Sequence, residues 1–344
     1  MSRGFAHYED YPIELWDIVT RYVAMGRRID MLTPASVLNR LVKKYLGDSY
    51  DVIPRSKEHV KDAAAIDRAF LSWLSWQRRR DRPFFAFLNY NDAHSPYEVP
   101  DRSIPGFGLR PISYLDRLIL KSWDILDRTQ VSQAHVQMAI DVYDDCIYYL
   151  DKRLGALLDE LRTRGVLDDT LIIVAADHGE HHGDHLLFSH GCSLYRQLVG
   201  VPLVIVDPKR VPEGQVVVEA VSLRDIPATV VDLLGLAGDA YFPGESLDRY
   251  WAKKVRAEGP SQPLLMETGI PLAFTNQGRE PVAKGPMEAL VAEGMHYIRR
   301  GDGLEELYLL KSDPQEQSNL AIFSFASDPL RRFRASRSAM LKKK

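Results

Sequence analysis

At 344 residues and 45% hydrophobic content, the chain is long enough to bury a large core and to carry a smaller appendage. Its 44 basic and 47 acidic residues nearly cancel, which excludes a nucleic-acid or membrane surface built on net charge and makes any anion site a local one. Two cysteines, Cys146 and Cys192, exclude a disulfide framework; no signal-like start and no run of about 18 apolar residues is present, so the chain as given reads as cytoplasmic with no spanning segment.

The opening stretch, "MSRGFAHYEDYPIELWDIVTRYV", holds no strand-turn-helix unit, and residues 10 to 80 read as helices and loops. Within them "DAAAIDRAFLSWLSWQRRR" sets Ile66, Phe70, Leu71 and Leu74 at helical spacing ahead of a basic end and a stop at Pro83. Phe84 to Leu88 is nearly all apolar, the pattern of a strand buried on both faces, and its carboxyl end delivers Asn89, Asn91, Asp92 and His94. From Ala134 to Arg162 a stripe of Tyr143, Ile147, Leu150, Leu154, Leu157, Leu158 and Leu161 predicts one long amphipathic helix, with Gly165 as its stop.

Two further strands follow, "TLIIVAA" and "VPLVIVDP", then a helix in "SLRDIPATVVDLLGL" with Pro227 in its first turn and Gly235 near its end. Strand, long helix and strand in alternation imply an α/β domain with a largely parallel sheet, covering residues 1–258. Residues 259–322 read as a small antiparallel subdomain with "RRGDG" as a turn, and 323–344 as a charged, frayed tail.

In a sheet of that kind ligands bind beyond the carboxyl ends of strands, which is where His94 and the pair Asp177, His178 fall. "VAADHGEHHGDHLLFSHG" gathers five of the chain's ten histidines, and Gly179 permits the turn that lets a carboxylate and an imidazole reach one ion. The bland alternative is a polar surface loop. Glu180, His182, Asp184 and His185 miss the H-x-H-x-D-H pattern of zinc-dependent metallo-β-lactamase-type hydrolases by one residue, since Glu180 stands where the first histidine belongs. Cys192 and Arg196 have the spacing of C-x-P-x-R without its proline, so Cys192 reads as a packed or capping residue.

"FFAFLNYNDAHSPY", the stretch from "YDDCIYYLDKRLG" through "VAADHGEHHGDHLLFSHG" to "VPLVIV", then "SLRDIPATVVDLLGL" and "ELYLLKSDPQEQSNLA" together resemble the sulfatase family of the alkaline phosphatase superfamily, over roughly residues 80 to 320. The resemblance implies an α/β/α sandwich with a small carboxyl-terminal sheet. It also implies hydrolysis of sulfate or phosphate esters, small anionic substrates, and one divalent ion, calcium first and manganese or zinc as alternatives. Carried over by position, Asp177 and His178 match metal ligands, His94 matches a contact to the ester group, and His190 stands where many relatives have an anion-binding lysine. His181, His182 and His185 are left as solvated or supporting groups.

In-line displacement at sulfur or phosphorus needs charge withdrawn from the transferred group, a proton for the leaving oxygen and a nucleophile. His94 is the expected proton donor. The nucleophile that the family carries near its amino terminus, a modified cysteine or a serine or threonine, has no counterpart among these residues, nor does a strand ending in paired aspartates before Phe84. The expectation is therefore a chain lacking that segment and inactive alone. The alternatives are the zinc hydrolase, with His182, Asp184 and His185 as ligands, and a non-catalytic binding protein on the same scaffold.

Overall fold

The computed structural model describes residues 62–100 except 77 and 79, then 106–108, 112–121, 123, 131–236, 242–252, 262–269 and 281–342. The opening stretch of the chain lies outside them. The chain divides into two compact units, residues 1–161 and 162–344.

In the first unit, helix α1 (Ala63–Trp76) buries Ala63, Asp67, Phe70 and Leu74. Its amino end is capped twice, by Asp62 Oδ1 accepting from the Ala65 amide at 2.7 Å and by Asp92 Oδ2 accepting from the Ala63 amide at 3.1 Å. Phe84 packs against Phe70 and Trp73, with ring centroids 6.2 and 6.0 Å away. The expected buried strand does not form at Phe84–Leu88, where Phe85 and Phe87 are 69% and 71% exposed. A short helix α2 (Tyr114–Lys121) precedes the long helix α3 (Gln133–Thr163).

Helix α3 is where periodicity placed it, and Gly165 ends it at φ 64°, its amide donating to the Arg162 carbonyl. Leu157 and Leu161 are buried as expected, but nearer the amino end Val142, Cys146 and Tyr149 are buried, whereas Ile147 is exposed. Arg153 lies on that face and donates from Nη2 to Asp67 at 2.6 Å, while the Tyr90 hydroxyl donates to the other Asp67 oxygen at 2.7 Å. Burial, then Asp67, push the Tyr90 phenol far above its usual range, so it stays a donor. Asp67 and Asp92 thus tie the residues leading to His94 onto α1.

The second unit holds β1 (Ile172–Ala175), β2 (His181–His182), β3 (Phe188–Ser189), α4 (Arg196–Val199), β4 (Leu203–Val206), α5 (Asp225–Leu233), β5 (Leu264–Thr268), β6 (Met287–Ala292), β7 (Met295–Arg299), β8 (Glu305–Leu309) and α6 (Ser327–Leu341). The strands expected at β1 and β4 form, but they pair with each other antiparallel, Ile172 opposite Val206 and Ala175 opposite Leu203. No parallel pair occurs among the described strands. β4 alternates, with Val204 and Val206 exposed, so the described residues cover one face of it rather than two.

Helix α5 carries Pro227 in its first turn and ends before Gly235 at φ 70°, as its sequence predicts. The antiparallel subdomain also forms, as a four-stranded sheet in the order β5-β6-β7-β8, with Gly303 at φ 85° in the "RRGDG" turn. One face of this sheet shares a core with the middle of the chain: Leu187, Cys192, Leu194, Tyr195 and Leu198 pack with Met287, Ala289, Ile298 and Tyr308. The other face, through Leu290, Tyr297 and Leu307, packs on Ala326, Leu330 and Phe333. The expectation of a frayed tail fails here. Residues 327–341 form α6, held by those apolar contacts and by Arg334 and Arg337 pairing with Glu305 and Glu288.

Candidate metal and anion site

His94 belongs to the first unit and is described there by itself. Its amide donates to the Asn91 carbonyl at 3.3 Å, and its ring Nδ1 lies 2.5 Å from the Ser95 carbonyl oxygen. A carbonyl only accepts, so Nδ1 carries the hydrogen in the neutral ring.

The second unit brings Asp177, His178, Glu180 and His190 together around the turn that follows β1. Gly179 makes this turn possible. Its amide donates to the Leu198 carbonyl at 2.8 Å, and a Cβ there would stand 2.1 Å from the Gln197 carbonyl oxygen, so only glycine fits against α4. His178 Nδ1 is 2.9 Å from the Gly179 carbonyl oxygen, which fixes its hydrogen on Nδ1 and leaves Nε2 as the acceptor nitrogen. The Asp177 side chain is 90% exposed, and its Oδ1 stands 3.9 Å from His178 Nε2. Two donors of one ion, each about 2.0–2.4 Å from it, can be up to about 4 Å apart, so this carboxylate and imidazole fit a shared divalent cation.

The short hairpin β2-β3 sets what lies beside them. Its register, His181 opposite Ser189 and His182 opposite Phe188, makes Glu180 and His190 the next facing residues. The His190 ring stacks on His178 with centroids 4.3 Å apart and planes 25° from parallel, and its Nδ1 lies 2.8 Å from Glu180 Oε1. The Glu180 side chain is 3% exposed. The hairpin is strained: His185, Leu186 and Ser189 have φ of 53°, 60° and 64°, a region that side chains other than glycine's rarely take.

Of the remaining histidines, His181 and His185 take the supporting alternative. His181 is fully buried with Nε2 2.8 Å from Ser193 Oγ, and His185 stacks on Tyr195 with centroids 3.8 Å apart; neither is solvated. The Tyr195 phenol is itself pushed far up by burial and by Glu306. These two histidines hold the hairpin against the core shared with the C-terminal sheet. Among the described residues, His182, Asp184 and His185 do not converge as donors for one ion, which removes the zinc-hydrolase arrangement. Cys192 is buried in the core as expected. Glu180 was legible only as the misfit in a zinc pattern, and the signal that could have found it is the hairpin register pairing it with His190.

Solved structures define the class. The phosphonate monoester hydrolase of Agrobacterium radiobacter superposes with a TM-score of 0.62 at 23% identity, over 82% of this chain and 60% of that one. A sulfatase described as putative from Bacteroides thetaiotaomicron superposes with a TM-score of 0.59 at 18% identity, over 84% and 64%. The fold is therefore the alkaline phosphatase-like α/β fold with an antiparallel C-terminal sheet.

Residues 34–236 match the sulfatase family model, and the chain belongs to the sulfatase family. A sulfatase of Formosa agariphila is 26% identical over 76% of this chain and 51% of its own length, and a choline-sulfatase of Rhizobium meliloti 27% identical over 70% and 46%. The chain spans about half the length of the curated relatives it matches. Sulfatases generally use a divalent metal. Among the described residues, no helix is long and apolar enough to cross a membrane.

Proposed function

We propose that this chain carries the metal-binding and oxyanion-binding part of a sulfate, phosphate or phosphonate ester hydrolase. The observation that carries the reading is the juxtaposition after β1: Asp177 and His178 set as ion donors, and the His190 ring stacked directly on His178. Asp177 and His178 hold the divalent ion, while His190 and, as the resemblance implies, His94 meet the oxygens of the ester. When bound, the ion supplies charge withdrawal from the transferred group.

Each ring has a distinct task. His178, with its hydrogen committed to the Gly179 carbonyl, presents a lone pair and not a donor, which suits a ligand and not an anion contact. His190 donates through Nδ1 to a carboxylate, so a proton on Nε2 makes it a cation able to donate to an ester oxygen. The resemblance, and not its hydrogen bond, gives His94 the contact to the leaving oxygen. No nucleophile is assigned among these residues. Calcium is the ion that the resemblance puts first, yet it takes six or more oxygen donors. One carboxylate and one imidazole suit manganese or zinc at least as well.

Calorimetric titration of the full chain with manganese, zinc and calcium tests the reading. Asp177→Ala and His178→Ala should each weaken ion binding more than His182→Ala does. The larger loss in His182→Ala would sink it.

A further inference from the structure

We propose that Glu180 is the positioning residue of the anion site, a buried carboxylate that sets both the orientation and the tautomer of His190. The inference rests on the reading of His190 as an anion contact and adds the residue that makes an imidazole usable where relatives hold a lysine.

Three observations carry it. First, the pairing is built by the backbone: the β2-β3 register sets residues 180 and 190 opposite each other, and Gly179, which has no room for a Cβ, fixes where Glu180 starts. Second, Glu180 Oε1 lies 2.8 Å from His190 Nδ1, and an ionised carboxylate only accepts, so Nδ1 carries the hydrogen. The ring then cannot turn over without losing that bond, and Nε2 is the nitrogen left to face the anion, donating to it when it too carries a hydrogen. Third, the Glu180 side chain is 3% exposed, yet its Oε2 has no hydrogen-bond partner among the described residues. A carboxylate present for stability would have both oxygens satisfied, since a buried, half-satisfied charge is destabilising. A flexible amine at the end of a lysine finds an anion unaided; a planar ring with two inequivalent nitrogens does not, and needs a partner to choose between them.

The test uses the full chain, inorganic sulfate as the probe, and the nitrogen spectrum of the His190 ring, identified by its disappearance in His190→Ala. Glu180→Leu keeps volume and removes the acceptor, and Glu180→Gln keeps an oxygen that can accept. In the wild type the ring should show hydrogen on Nδ1. Glu180→Leu should mix or reverse the tautomers and weaken sulfate binding on the order of tenfold, the scale for losing a partner that orients a histidine. Glu180→Gln should recover most of the loss. In a His190→Ala background Glu180→Leu should cost nothing further.

Losses that add in the double variant, or an unchanged ring spectrum in Glu180→Leu, overturn the inference while the function stands. A His190→Ala chain that binds sulfate like the wild type overturns the anion-site reading instead. The ring spectrum then decides alone: loss of the Nδ1 form in Glu180→Leu sustains the positioning role, and its persistence overturns it.

Discussion

The C-terminal sheet and the hairpin after β1 lie in one unit, yet they are built on opposite principles. The sheet has strands of five and six residues in continuous register, with both faces packed on apolar side chains. The hairpin has two-residue strands, three side-chain-bearing residues at positive φ, and buried polar groups beside Leu187 and Phe188. The first buries apolar surface on both faces, and the second carries the proposed ion and anion contacts. The contrast follows from what each must do, because a site that holds carboxylates and imidazoles in fixed positions cannot also minimise strain and buried polarity.

The largest effect should come from the sheet. Leu290 of β6 is fully buried in the core that β6 shares with α6, so Leu290→Ala should lower unfolding free energy by about 2–5 kcal/mol in denaturant titration. Ion binding at Asp177 should persist as long as the unit stays folded. If ion affinity falls while the chain is still folded, the two regions are not separable.

Gly179→Ala should be next in size and act on the hairpin. The new methyl would meet the Gln197 carbonyl oxygen at 2.1 Å, forcing the turn off α4. We expect a loss of roughly 1–3 kcal/mol, together with weakened divalent-ion binding. A chain that tolerates alanine with ion affinity intact would show that the turn is not set by this contact.

A smaller effect of opposite sign is expected at Leu186, whose side chain is 85% exposed at φ 60°. Asparagine adopts that conformation more readily, so Leu186→Asn should raise stability by up to about 1 kcal/mol without changing sulfate or ion binding. Unchanged or lower melting temperature would mean that the strain is relieved elsewhere.

The smallest effect sharpens the sheet side of the comparison. Arg334 donates from Nε to Glu305 at 2.9 Å, and its hydrogen bond is the main reason that the Glu305 carboxyl is held below its ordinary range. Arg334 is half exposed, so Arg334→Ala should cost at most about 1 kcal/mol. A depressed folded value stabilises at pH above the ordinary carboxylate range, near 4.3, and the gain disappears as pH falls through the folded value. The gap between Arg334→Ala and wild type should therefore be present at pH 7 and close in strong acid. A gap that persists there would point to packing of the arginine stem and not to its charge.

What the sequence determined by itself follows from periodicity and from residues with narrow conformational roles. Helix α3, helix α5, the β7-β8 turn and the ends at Gly165 and Gly235 were all legible, because local sterics and a repeating apolar face act over a few residues. The family resemblance makes His178 and His190 candidates, and the structure stacks their rings. Tertiary structure decided the rest. Ile147 reads as apolar on a helix but is exposed, while Arg153 on the same helix pairs with Asp67 eighty-six residues away, a contact that no local spacing announces. Phe84–Leu88 reads as a strand and does not form one, because an apolar run by itself does not specify whether strand pairing occurs. The β1-β4 pair is antiparallel for a reason that no apolar run encodes, because either orientation buries the same side chains. Residues 327–341 read as a charged tail until Leu330 and Phe333 meet the open face of the sheet and the arginines around them meet its carboxylates. Glu180 is the clearest case: its role exists only through a hairpin register that sets it opposite His190, and a register is a relation between two segments that neither one specifies alone.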